Sequence, residues 1–213
     1  IYLCFGQSNM EGNANIEDID RTGVNPRFMA MYAVDDEKAG WKKGQWHTAV
    51  PPQARPDTGL TPVDYFGRKM VDNLPDSIKV GTITVAVGGA SIDLFDKRTC
   101  KAYLKKQPDW MKNFASQYNG NPYARLIELA KIAQKQGVIK GILLHQGETN
   151  NGDVNWPNRV KTVYNDILKE LHLKAEDVPL LVGETVQKDQ GGICWKHIAI
   201  VDDIAKTIPT AHV

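Results

Sequence analysis

The chain has 213 residues, of which 24% are charged and 42% hydrophobic, and its formal net charge is +1. That length suits a single α/β domain with its own core, while the balanced charge argues against a nucleic-acid groove or an acidic partner surface. No apolar run approaches the ~20 residues that a membrane-spanning helix needs, and no signal peptide pattern is visible.

The first element is a strand over residues 1–5, and it gives way at once to Gly6-Gln7-Ser8-Asn9. Further strands are expected over 28–34, 78–87, 138–144 and 179–184. Three of these are nearly continuous apolar runs, as in a parallel sheet covered on both faces. Between them lie helical patterns. Thr61-Pro62 reads as an N-cap with proline at the first helical position, followed by Val63, Phe66, Met70 and Val71 at helical spacing. Asn121-Pro122 opens a second helix, which Gly137 is expected to close. A third runs from about Trp156 to Leu171, and a fourth over roughly Cys194 to Lys206. The order predicts one domain, residues 1–213, built as a three-layer α/β/α sandwich on a mostly parallel sheet.

Residues 35–60 and 93–120 read as long irregular stretches, the kind that in compact domains carries function. At the end, Ala211-His212-Val213 starts what looks like another strand. Together with the absence of an initiating methionine, this leads us to expect a piece of a longer precursor whose last strand, loop and helix lie outside residues 1–213. Cys4, Cys100 and Cys194 form no CxxC pair, so a zinc or redox motif is not indicated. One disulfide with one spare thiol is possible, but buried free thiols at Cys4 and Cys194 are the simpler reading.

Open parallel sheets bind ligands beyond the carboxyl ends of their strands. Three such ends carry small or polar clusters: Gly6-Gln7-Ser8-Asn9, Gly88-Gly89-Ala90-Ser91, and His145-Gln146-Gly147-Glu148-Thr149-Asn150. A serine just past a strand, at a helix start, is well placed as a nucleophile with backbone N–H groups around it. Glycines 88 and 89 allow close backbone approach and can offer another donor, Gln146 can add an amide, and Glu148 can support a base.

The blocks "GQSNMEG", "VGGASI" and "HQGETN" resemble those of the SGNH hydrolase superfamily, most closely carbohydrate esterase family 6 and the sialate O-acetylesterase-like domain. The likeness runs through "WPNRVKTVYNDIL" and "VGETVQKDQGG", and so over essentially the whole chain. It implies a flavodoxin-like α/β/α fold and a metal-free, cofactor-free serine esterase. The implied substrate is an acetylated oligo- or polysaccharide such as acetylated xylan, met in a secreted or periplasmic setting, with no nucleic-acid or membrane partner. Ser8 would be the nucleophile. The Ser8 N–H, the Gly89 N–H and the Gln146 side chain would form the oxyanion hole. Gln7, Asn9, Gly88 and His145 would shape the site, and the triad acid would be either Glu148 or an aspartate three residues before the catalytic histidine. The family's D-x-x-H element is absent here, which places the catalytic histidine beyond Val213.

Plainer roles stand beside these. Ser8 can simply cap a helix, Gly88-Gly89 can be an ordinary turn, Gln146 a structural amide and Glu148 a buried, hydrogen-bonded carboxylate. His145 reads as a core or supporting histidine, and His47, His172 and His197 as surface residues. Tryptophans 41, 46, 110 and 156 read first as anchors, with Trp46 and Trp110 the two candidates for sugar contact. The lysines around Lys101, Lys105 and Lys106 read as a solvated face. A sugar-binding relative without a base, and a flavodoxin-like phosphate binder, are the rival functions. Against the latter, no strand is followed by GxGxxG or GxxxxGK[ST].

Overall fold

The structure is a computed structural model that describes residues 1–213. Seven strands, β1 (Tyr2–Gly6), β2 (Phe28–Met31), β3 (Trp46–Thr48), β4 (Val80–Ala86), β5 (Gly141–His145), β6 (Leu180–Val182) and β7 (Ala211–His212), make one sheet. Their spatial order is β3-β2-β4-β1-β5-β6-β7, and only the β2–β3 pair is antiparallel. Nine helices accompany them: α1 (Ser8–Glu11), α2 (Asp18–Arg21), α3 (Pro62–Asp72), α4 (Cys100–Lys105), α5 (Asp109–Ser116), α6 (Pro122–Ala133), α7 (Trp156–Glu170), α8 (Ile198–Asp202) and α9 (Ile204–Thr207).

The alternation of side chains along each strand divides the core into two layers. Leu3, Phe5, Ile83, Val85, Ile142, Leu144, Leu180 and Val182 face one way, into a cluster shared with α6 and α7. Cys4, Ala86 and Leu143 face the other way and meet Met10 of α1 and Val63 of α3. Every residue of β4 is buried, as befits a strand with cover on both faces. This is the three-layer α/β/α arrangement of the SGNH-hydrolase type, with a mostly parallel sheet.

Local chemistry accounts for the best-defined helices. At α3, the Thr61 and Asp64 side chains form a reciprocal capping box ahead of Pro62. At α6, Asn121 Oδ1 accepts the Ala124 N–H at 3.0 Å, a side-chain cap of the usual kind.

Four expectations change. The helix predicted over 194–206 is broken into a short turn of 3₁₀ helix, α8 and α9, interrupted at Asp203. Four β-branched residues and the adjacent Asp202-Asp203 pair work against a continuous helix there. Residues 93–120 are not irregular but hold α4 and α5, whose six and eight residues give barely two turns of periodicity to read. Helix α6 ends at Ala133, short of Gly137. The stretch 35–60 contains β3, an antiparallel edge strand of three residues. The three cysteines are all free thiols, and burial pushes the Cys4 thiol up to about 12.

Candidate active site

The parallel register brings the three clusters to one level. Gly6 of β1 pairs with Ala86 of β4 and with His145 of β5. Two residues past the ends of these strands come Ser8, Gly88 and Gly147, all at the carboxyl edge. The neighbouring chains approach so closely that a Cβ on Gly6 would stand 2.0 Å from the His145 carbonyl oxygen, which only glycine accommodates.

Ser8 is half-buried at the first position of α1. The Ser8 and Gly89 N–H groups donate to no acceptor within the protein, whereas neighbouring amides are engaged: Gln7 N–H to the His145 carbonyl at 3.0 Å, and Gly88 N–H to Glu11 Oε1 at 3.0 Å. Gly89 turns the chain with φ +70°, a left-handed conformation suited to glycine.

Gln146 is completely buried. Its Nε2 lies 3.0 Å from Gln7 Oε1, 3.2 Å from the Ala90 carbonyl and 2.8 Å from Asn150 Oδ1. Its Oε1 accepts from the Trp156 indole. The oxyanion role expected of Gln146 is therefore not one that this geometry offers, because an amide with two hydrogens has none left for a ligand. Instead, Gln146 ties the three strand ends together. Gln7 does the same from β1: its Oε1 also accepts the Gly147 and Thr149 N–H groups at 3.4 and 3.2 Å. Thr149 Oγ1 donates to the Gly89 carbonyl at 2.9 Å, linking the second cluster to the third.

Glu148 faces Asn9, whose Nδ2 donates to Glu148 Oε1 at 2.7 Å. The same oxygen lies 3.7 Å from His145 Nδ1, and Glu148 Oε2 is buried without a partner. The His145 ring turns toward β6, where a Cβ on Gly183 would come within 2.5 Å of it. Asn9, Glu148 and His145 are thus brought together beside Ser8.

Of the remaining histidines only His197 adjoins the third cluster, where a Cβ on Gly147 would come within 2.2 Å of its ring. His47 is not a surface residue. It is half-buried on β3 and stacked on Trp41 with ring centroids 3.9 Å apart, and burial lowers its pKa to about 4. His197, also expected at the surface, is completely buried against Trp156 at 4.6 Å, and burial again lowers its pKa. His172 is exposed after α7, and His212 is exposed on β7. Two residues that the sequence reading passed over complete the site. Glu11 holds the Gly88 N–H and forms a buried ion pair with Arg55. Glu11 sat in the block "GQSNMEG", two residues past the first polar cluster, and was within reach of sequence reasoning; Arg55, in an irregular stretch, carried no signal. No group of three or more His, Cys, Asp or Glu side chains converges to hold a metal ion.

An open sheet with a serine at the carboxyl end of its central strand, flanked by two unengaged backbone N–H groups, has the architecture of the SGNH-hydrolase class. The model of the family described as carbohydrate esterase, sialic acid-specific acetylesterase, matches residues 1–213, and the chain belongs to this family. It is therefore one of the carbohydrate esterases, for which an acetylated carbohydrate is the substrate class.

Solved structures share the fold. A protein from Arabidopsis thaliana superposes with TM-score 0.64 at 17% identity, over 95% of this chain and 80% of that one. A carbohydrate acetylesterase from Xanthomonas citri superposes with TM-score 0.62 at 21% identity, over 99% of this chain and 47% of that one, so this chain spans about half the length of that relative. NanS superposes with TM-score 0.60 at 16% identity, over 95% of this chain and 72% of that one.

Proposed function

We propose that this carbohydrate esterase is a serine esterase that removes O-acetyl groups from a polysaccharide of the acetylated-xylan type. The observation that carries the reading is the pair of unengaged N–H groups, of Ser8 and Gly89, at the carboxyl ends of the paired strands β1 and β4. In this reading Ser8 Oγ attacks the acetyl carbonyl, the tetrahedral oxyanion is held by these two N–H groups, an acyl-enzyme forms, and water releases acetate. Glu148, with one oxygen on Asn9 and the other free, is the carboxylate available to orient a protonated histidine. No histidine is hydrogen-bonded to Ser8 Oγ, and His145 turns its Nδ1 toward Glu148 at 3.7 Å. The base in this reading is a histidine outside residues 1–213, and the setting is secreted or periplasmic. O-acetylated sialate is the alternative substrate, to which the family description points.

The test is acetate release from acetylated xylan, from O-acetylated sialate and from 4-nitrophenyl acetate by the full-length protein and its Ser8→Ala variant. We expect activity on xylan to exceed that on sialate, and Ser8→Ala to abolish both, with a loss of at least ~1,000-fold. Full activity in Ser8→Ala sinks the nucleophile assignment, and a preference for sialate reverses the order of substrates.

A further inference from the structure

The five tryptophans differ sharply in surroundings. Trp41 is stacked on His47, Trp156 is completely buried, and Trp195 lies under the Lys188 ammonium at 4.9 Å. Trp46 covers Gly81, near the amino ends of the strands and so at the edge away from Ser8. Trp110 alone is both largely open, at 48% exposure, and at the carboxyl edge. Its ring lies directly against Gly89: a Cβ there would stand 2.9 Å from Trp110 Cη2. The indole therefore borders one of the two unengaged N–H groups.

This indole is also held in place. On α5 it meets Phe114 edge to face, with centroids 5.8 Å apart. The Arg55 guanidinium sits 4.2 Å over the Phe114 ring and pairs with Glu11, whose carboxylate accepts the Gly88 N–H. The contacts run in a closed circuit, Gly89–Trp110–Phe114–Arg55–Glu11–Gly88, so the exposed ring is anchored to the same turn that carries the proposed oxyanion donor. A wide, rigid aromatic surface left open beside a site is costly to leave in water and well suited to an apolar ligand face.

We propose that Trp110 is the binding platform on which the pyranose ring carrying the acetyl group packs its C–H face. The assignment rests on the Ser8 reading, since it is the ester carbonyl at Gly89 that brings the sugar within reach of the indole. It makes Trp110 the residue that separates a sugar ester from a small acetate ester. Lys188 over Trp195, by contrast, leaves that ring already occupied.

The experiment uses full-length protein in four forms: wild type, Trp110→Ala, Trp110→Phe and Ser8→Ala. Steady-state kinetics on acetylated xylo-oligosaccharides and on 4-nitrophenyl acetate are compared. We expect Trp110→Ala to lose about tenfold more kcat/KM on the sugar ester than on the small ester, through KM, and Trp110→Phe to recover most of that loss. Equal losses on both substrates overturn the proposal. So does a gain by Trp110→Ala on 4-nitrophenyl butyrate, which would make the indole the wall of the acyl pocket instead. Titration calorimetry of the same oligosaccharides with Ser8→Ala and with Ser8→Ala/Trp110→Ala separates this proposal from the one beneath it. Weaker binding in the double variant supports the platform even if Ser8→Ala proves active, and equal binding removes it even if Ser8 is the nucleophile.

Discussion

Residue by residue, the site rests on a few polar side chains whose partners decide what each can do. Ser8, Gln7, Asn9 and Glu148 were legible because three polar clusters followed three strand patterns, and the sheet brings them together. The role of Gln146 was not legible. A glutamine after a strand can face a ligand or face its neighbours, and only packing against Trp156, Asn150 and Gln7 decides between them. This difference is measurable. Replacing Gln146 by Leu strands the buried Trp156 N–H, whose acceptor is Gln146 Oε1, at about 1–3 kcal/mol for a buried group left unsatisfied, while the Gln7 and Asn150 oxygens lose one donor and keep those of Gly147, Thr149 and Ile92. We therefore expect urea denaturation to show a loss of about 1–3 kcal/mol. If Gln146 were instead a dispensable donor to the substrate, activity would fall with stability intact. The same logic separates His197 from His172: both were read as surface residues with lysines nearby, yet one is buried and the other exposed.

At the scale of elements, the most readable helices were those with their own stop and start chemistry. The N-terminus of α3 was visible as Thr61-Pro62, and the structure adds the reciprocal bond from Asp64 that completes the box. Thr61 also donates its hydroxyl to the Met10 carbonyl at 3.0 Å, which ties α3 to the segment carrying Ser8. Thr61→Ala is expected to lower stability by about 1–2 kcal/mol, read as a fall in the urea midpoint at unchanged slope, while Thr61→Ser retains most of it. A Thr61→Ala protein as stable as wild type would mean that the cap is idle and that packing alone holds the helix. The short elements were the unreadable ones. Helices α4 and α5 and strand β3 exist because they dock on a formed core, and tertiary contact supplies what eight or fewer residues of pattern cannot. That matters for function, since α5 carries Trp110 and Phe114 to the edge of the site.

The molecule as a whole carries a pH dependence that no single motif announces. Unfolded His47 takes up a proton near the ordinary histidine value of 6.5, whereas folded His47 does so only near 4. Between these values the unfolded chain binds more protons, so this contribution to stability is present above 6.5 and is lost as pH falls through 4. His197, also buried and lowered, acts in the same direction. Asp64 acts in the opposite sense. Burial raises it to about 6, so its contribution is present below 3.8 and lost as pH rises through 6. The clean comparison is therefore wild type against His47→Phe, which keeps a ring on Trp41 and removes the titration. We expect the difference in Tm between pH 7 and pH 4.5 to be smaller in the variant, and an unchanged difference would refute the role of His47. Seen across the whole chain, the sequence by itself determined the order of the longer strands and helices, the layering and the clusters that meet at one edge. These follow from local periodicity, from capping chemistry and from the parallel connections that such an order permits. The tertiary structure alone decided which polar groups remain free for a ligand, since a donor is available only when no neighbour takes its hydrogen. In this protein the neighbours of Ser8 and Gly89 leave their N–H groups open, those of Gln146 do not, and the indole of Trp110 comes to rest beside Gly89 from a helix twenty residues away in the chain.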